Sequence, residues 1–173
     1  MQTDEALAAR VATGDEIALR ELLRRYQGPL AAFLYRQTGG RDVEDLYQET
    51  WLRVARHAAA FDAGRRFSTW LFQIAVNLCR DWHRRPPPEP RPLASEATAA
   101  DWERTEAALD AAQLLARLPA AQREVVILRY YHDLSENDVA AILNIPLGTV
   151  KSRLHEAIAR LSAIVRAEKE GPA

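Results

Sequence analysis

The stretch Leu134–Leu161, LSENDVAAILNIPLGTVKSRLHEAIARL, decides how this chain reads. Its spacing predicts two short helices joined by a tight turn. Ser135 is a good N-cap, and Asp138 at the third helical position makes a weak form of the capping box. Val139, Ile142 and Leu143 give the first helix an apolar face. Asn144 falls where the chain must turn, and asparagine tolerates the left-handed conformation better than most residues with a side chain. Pro146 fits the start of the next helix, where its missing N–H has no partner to lose. Val150, Leu154, Ile158 and Leu161 then line one face at helical spacing. Thr149, Ser152, Arg153, Glu156 and Arg160 line the opposite face, flanked by Lys151 and His155. Such side chains hydrogen-bond to base edges and phosphates in a major groove. The pattern predicts a helix-turn-helix on duplex DNA. A small helical hairpin with a solvated outer face is the alternative.

Composition points to a mostly helical protein. At 173 residues and 48% hydrophobic, the chain has room for one ordinary domain or two small ones. Glycine is scarce and runs of alternating polarity are absent. The lone cysteine, Cys79, excludes an intrachain disulfide and a cysteine-based zinc site, and its apolar helical surroundings make it a packing residue. No signal peptide and no membrane-length apolar run is visible, so a cytoplasmic protein without membrane contact of its own is expected. His57, His83, His132 and His155 are scattered, with no metal-ligand spacing. Neither a glycine-rich phosphate loop nor a nucleophile motif is present. No catalytic residue, metal or cofactor is expected, and the chain reads as no enzyme.

The net charge of -1 is not that of a free-standing DNA binder, but charge is unevenly spread. Arg65 to Arg91 holds six arginines against Asp81 and Glu89, a net of +4; Glu96 to Asp110 holds five acids against Arg104, a net of -4. A near-neutral chain with a basic segment suits a protein delivered to DNA by a larger partner, and also an ordinary globular one. Residues 83–104, HRRPPPEPRPLASEATAADWER, contain five of the nine prolines and no apolar periodicity. Proline removes backbone donors and forbids helix, so an extended linker is expected over 86–103. It separates an N-terminal helical domain, 1–85, from a C-terminal one, 104–170.

In the first domain the pattern predicts a helix from about Asp4 to Arg25, broken near Gly14, and another from Pro29 to Thr38. A third starts near Asp42, with Asp42, Glu44 and Asp45 at its positive end. Its apolar stripe is Val43, Leu46, Tyr47, Trp51, Val54 and Ala58; its outward positions include Asp45, Gln48, Glu49, Leu52 and Arg53. The fourth carries Phe67, Trp70, Leu71, Ile74, Ala75, Leu78 and Trp82 on one face, and Gln73, Asn77, Arg80 and Arg84 on another. That second stripe suits a nucleic-acid backbone and, through the amide of Asn77, a base edge; a solvated face is the alternative. Between these helices, Phe61 with Asp62, Gly64, Arg65 and Arg66 forms a loop that could stack on an unpaired base while arginines hold phosphates, or could simply plug the helix junction. The spacing of Phe67, Trp70 and Trp82 favours core packing over a role as wedges between bases.

Two blocks carry a family resemblance: DVEDLYQETWLRVARHAAAFDAGRRFSTWLFQIAVNLCRDWHRR and LPAAQREVVILRYYHDLSENDVAAILNIPLGTVKSRLHEAIARL. With the opening VATGDEIALRELLRRYQGPLAAFL they cover most of the chain, which resembles a bacterial RNA polymerase sigma factor of the extracytoplasmic-function type in the sigma-70 family. The resemblance implies an all-α fold of two small domains, a region 2 helical bundle and a region 4 helix-turn-helix, joined by the proline-rich linker. Nothing resembles region 1.1, region 3 or an appended C-terminal domain. Trp51 stands where the family often has Phe, Asn144 where glycine is common and Asp138 where glutamate is common; none removes a needed group, but the geometry of the turn stays open.

The same resemblance implies roles. Asp45, Gln48, Glu49, Leu52 and Arg53 would dock on the beta-prime clamp helices of core RNA polymerase, with the beta subunit as a further partner. Phe61, Arg65, Arg66, Gln73, Asn77, Arg80, Arg84 and Arg85 would hold the unpaired -10 strand. Thr149, Lys151, Ser152, Arg153, His155, Glu156 and Arg160 would read the -35 duplex. Arg123 and Arg129 are candidates for phosphate or polymerase contact. An anti-sigma factor is an expected further partner. Two other readings stay open: a free-standing helix-turn-helix regulator, which leaves the first block unexplained, and a sigma mimic that binds an anti-sigma factor without touching promoters.

Overall fold

The computed structural model describes residues 2–85, 106–132 and 134–170. The expected linker, 86–103, lies outside the described residues. Among them there are eight α-helices and no strand. The chain divides into two compact units, Met1–Glu103 and Arg104–Ala173.

In the first unit, α1 (Asp4–Val11) starts at Thr3, whose hydroxyl oxygen accepts from Ala6 N–H at 3.2 Å. The chain turns at Gly14 and re-enters helix at Asp15. The Asp15 carboxylate accepts from Ile17 N–H at 2.9 Å and Ala18 N–H at 3.1 Å and pairs with Arg10 at 2.7 Å. These bonds, the one from Ala18 first, hold its carboxyl below the usual range.

The two helices expected on either side of Arg25 and Pro29 are instead one, α2 (Glu16–Thr38), with Pro29 inside it. A proline in a helix interior costs about 3 kcal/mol. Leu22, Leu30, Phe33 and Leu34 of this helix are fully buried. Each such side chain contributes about 1.5–3 kcal/mol, so keeping the whole apolar face on the core outweighs the proline. The helix ends at Gly39 in the left-handed region (φ 65°). At Gly40 (φ 83°) a Cβ would lie 2.8 Å from the Tyr35 ring, so both conformation and space require glycine there.

Helix α3 (Val43–His57) buries Leu46, Trp51 and Val54 of its expected stripe, and Thr50 besides, while Val43 and Tyr47 are half-buried; it runs into a short 3-10 turn at Ala58–Ala60. Helix α4 (Phe67–Arg84) contacts α1, α2 and α3. It buries Phe67, Leu71, Ala75 and Leu78 as expected, but also Phe72, Val76 and Cys79, while Trp70, Ile74 and Trp82 are only half-buried. A helix with neighbours on several sides needs an apolar arc wider than one stripe. Phe72 meets Phe33 of α2 edge-on, centroids 5.4 Å apart.

In the second unit, α5 (Glu106–Ala116) leads through Leu118 and Pro119 into α6 (Ala120–Val126). The helix then widens into a π-turn, Ile127–Tyr131. Helices α7 (Glu136–Leu143) and α8 (Leu147–Glu170) form the helix-turn-helix. Its capping box is complete: Ser135 Oγ accepts from Asp138 N–H at 3.1 Å, and Asp138 Oδ2 accepts from Ser135 N–H at 3.2 Å. Asn144 takes the left-handed conformation (φ 52°), so asparagine performs the turn here. Pro146 immediately precedes α8, its carbonyl accepting from Thr149 and Val150. Val150, Leu154 and Ala157 are buried. Ile158, expected on that face, is 46% exposed; the seam passes through Ala157 instead.

Candidate nucleic-acid and polymerase surfaces

The exposed flank of α3 is a continuous patch. Asp45, Gln48 and Leu52 are exposed, Leu52 to 49%, and follow one another at helical spacing. Glu49 and Arg53 sit beside them, joined at 2.9 Å. That bond to Arg53 holds the Glu49 carboxyl below its usual range, with Arg56 and Arg85 adding to the effect. Gln48 donates to Glu44 at 3.4 Å. All five residues expected at a polymerase contact therefore share one surface. It mixes acid, amide, apolar and guanidinium groups.

Helix α4 presents Asn77 to solvent midway along its length, while Gln73 and Arg80 beside it are half-buried. Arg84 is exposed and lies 3.6 Å from Asp81. Arg85, exposed at the end of the helix, is near enough to Glu49 of α3 to add slightly to the lowering of its carboxyl. The loop before α4 is shaped by Asp62, which accepts Gly64 N–H on its side chain and Arg65 N–H on its carbonyl, both at 2.9 Å. This turn leaves Arg65 and Arg66 exposed. Phe61 is half-buried, its ring 5.1 Å from Trp70 and 5.8 Å from Phe67. It does plug the helix junction, and only part of its surface is open for stacking.

In the second unit, Thr149, Ser152, Arg153, Glu156 and Arg160 share the outward face of α8, with Lys151 and His155 exposed alongside. Thr149 and Arg153 are half-buried. Glu156 accepts from Gln122 Nε2 of α6 at 3.0 Å, and Lys151 lies 3.9 Å from Glu136 of α7. Arg123 and Arg129 are both half-buried and engaged within the protein, Arg129 lying 5.8 Å from the Tyr130 ring centre. Among the described residues no group of His, Cys, Asp and Glu is placed to hold a metal, and no helix is long and apolar enough to cross a membrane.

Comparison with known proteins matches two families to these two units: Sigma-70 region 2 over residues 22–86 and Sigma-70 region 4 over residues 108–161. The ECF RNA polymerase sigma-E factor of Haemophilus influenzae is 33% identical over 90% of this chain and 91% of its own length. The chain belongs to the extracytoplasmic-function sigma factors. The ECF RNA polymerase sigma factor SigW of Bacillus subtilis is likewise 33% identical, over 84% of this chain and 88% of its own. Among solved structures, CnrH in complex with the cytosolic domain of CnrY superimposes with a TM-score of 0.75 at 29% identity, covering 95% of this chain and 98% of that one. The sigma factor RpoE of Bartonella quintana, bound to the anti-sigma factor NepR, superimposes with a TM-score of 0.68 at 25% identity, covering 86% and 96%.

Three features of this sigma factor escaped the reading of its sequence. The indole of Trp82 reaches Asp42, the carboxylate of Glu5 reaches the first amide of α4, and Asp4 holds both Arg25 and Tyr26. All join residues far apart in sequence, where periodicity carries no signal. One local cue existed: Arg66, at the N-cap of α4, offers no capping oxygen, so the cap had to come from elsewhere.

Proposed function

We propose that this sigma factor binds core RNA polymerase through the α3 patch, reads the -35 duplex with α8 and holds the unpaired -10 strand with α4 and the loop carrying Phe61. The observation that carries the proposal is the exposed Asn77 amide midway along α4, directly opposite the buried core face and in line with Gln73, Arg80 and Arg84. An amide in that setting can pair bidentately with an adenine edge, while guanidinium groups neutralise phosphates. The α3 patch is mostly acid and amide, complementary to basic helices on a partner.

In this mechanism the chain makes and breaks no covalent bond and needs no cofactor. Phosphate contacts from Lys151, Arg153 and Arg160 place α8 in the groove, and Thr149, Ser152, His155 and Glu156 face the base edges. Arg65 and Arg66 approach the strand backbone, and Phe61 offers the open part of its ring to an extruded base. Unstacking a base costs a few kcal/mol, which one aromatic contact and several phosphate contacts can offset. The roles divide the chain at 1–85 and 104–170, with 86–103 as the connection. The site of action is the cytoplasm, where core polymerase works. An anti-sigma factor is a further proposed partner, since both structural relatives above are bound to one or to a partner's cytosolic domain.

Transcription in vitro from a fragmented genomic library, with core polymerase and with or without this protein, tests the proposal. Discrete start sites that depend on the protein are the expected result and reveal the -10 and -35 sequences. Core binding without any start site would favour the sigma mimic. Absence of core binding would favour a free-standing regulator.

A further inference from the structure

The first amide of α4 is capped from a distance. Arg66 precedes it and makes no side-chain cap, so the N–H of Phe67 would lack a partner inside its own helix. Glu5 of α1 supplies the acceptor: its Oε1 lies 3.0 Å from Phe67 N, across 62 residues of sequence, in a part-buried setting. A carboxylate at that point also meets the positive end of the α4 dipole.

Its neighbour Asp4 fixes the other side of the same junction. It accepts from Arg25 Nη1 at 2.6 Å and from the Tyr26 hydroxyl at 2.5 Å. Burial first, and the bond to Asp4 second, push the Tyr26 hydroxyl well above its ordinary pKa, so it stays a donor. The Tyr26 ring meets Phe67 edge-on with centroids 5.4 Å apart, and Phe67, fully buried, carries Phe61 at 5.8 Å. Two adjacent acids on α1 therefore set the start of α4 and, through Phe67, the seat of Phe61. Helix α1 lies outside residues 22–86, the span matched by region 2.

We infer that Glu5 is a positioning residue for the loop at residues 61–66, and that α1 thereby sets how tightly the first unit holds an unpaired DNA strand. The inference rests on the reading of Phe61 and Asn77 as strand contacts. Without the Glu5 carboxylate the first turn of α4 frays, and Phe61 loses its fixed seat on Phe67 and Trp70. The -35 duplex and the α3 patch are untouched by this change, because neither Glu5 nor Phe67 belongs to them.

The test uses holoenzyme and a fluorescent oligonucleotide carrying the non-template -10 strand of a promoter recovered by the library transcription above. Glu5→Ala is expected to weaken binding about fivefold, the size of one hydrogen bond's net contribution, with core affinity unchanged. Glu5→Gln keeps an acceptor oxygen and is expected to stay within about twofold of the parent. Thr3→Ala removes the α1 cap without touching Phe67 and serves as the control for loosening α1 alone. Equal strand binding by Glu5→Ala and parent would overturn the inference, and so would an equal loss in Thr3→Ala. Asn77→Ala is measured alongside. If it loses strand binding while Glu5→Ala does not, only the inference falls; if it too binds normally, the reading of α4 falls first.

Discussion

The indole N–H of Trp82, near the end of α4, donates to Asp42 Oδ2 at 2.8 Å and so joins the far end of that helix to the start of α3. Asp42 stands at the N-cap of α3 in the left-handed region, φ 52°, and makes no cap bond with its side chain. Its carboxylate is used outward, on the indole, while the Arg41 guanidinium lies 4.8 Å over the same ring. Polar contacts at one edge and over one face explain why Trp82 is half-buried rather than sunk in the core.

Trp82→Phe keeps the ring and removes the donor, so it is expected to destabilise the protein by about 1 kcal/mol. Asp42→Ala loses the same bond and adds left-handed strain of about 1–2 kcal/mol. Asp42→Asn keeps an acceptor and tolerates the conformation, and is expected to stay close to the parent. Urea denaturation of the full chain ranks the three; a neutral Asp42→Ala would show the bond to be idle.

Gly148 lies in the first turn of α8, and beyond its chain neighbours a Cβ there meets nothing within 4 Å. Gly148→Ala is therefore expected to stabilise the protein by about 0.5–1 kcal/mol, through the lower conformational freedom of the unfolded chain. A raised thermal midpoint checks it. Gly40→Ala should do the reverse, since Tyr35 occupies the space and the backbone is left-handed.

Hydrogen bonds from Arg24 first and Arg25 second hold the Glu21 carboxyl down at about 2, against an ordinary value of 4.5. A carboxyl with a lowered folded pKa takes its proton more readily in the unfolded chain. Its stabilisation is therefore complete above pH 4.5 and is lost as pH falls from there towards 2. Glu21→Gln should flatten the acid limb of the stability curve over that window and leave stability near pH 7 lower than in the parent. Superimposable acid limbs would show that Glu21 does not titrate this way.

Asn77→Ala is expected to weaken promoter recognition by about 1–3 kcal/mol with core binding intact, the discrimination carried by one good base contact. Gln48→Ala and Glu49→Ala should do the opposite, impairing association with core before any effect on DNA. Parallel titrations of core polymerase and of promoter DNA separate the two classes. Equal losses in both assays for Asn77→Ala would remove α4 from the DNA surface.

Much of this was legible because it is local. The Ser135 and Asp138 capping box, the Asn144 turn and the Leu46, Trp51 and Val54 stripe need only neighbours within one or two helical turns. The five outward residues expected on α3 share one face for the same reason. The reading failed where competition between distant groups decides. Pro29 looked like a helix start, because local propensity cannot weigh one proline against the joint burial of Leu22, Leu30, Phe33 and Leu34. Ile158 looked buried, because helical spacing says which residues share a face but not where the neighbouring helix ends.

By itself, then, the sequence determined the helical class, the helix-turn-helix and the polar stripes along α3, α4 and α8, since each follows from periodicities of 3.6 residues and from caps a few positions away. Only the tertiary structure decided that α2 is continuous, that Phe61 leans on Phe67 and Trp70, and that Glu5 and Asp42 serve α4 rather than their own helices. Those outcomes depend on packing and hydrogen bonds between residues tens of positions apart, whose meeting no local pattern encodes.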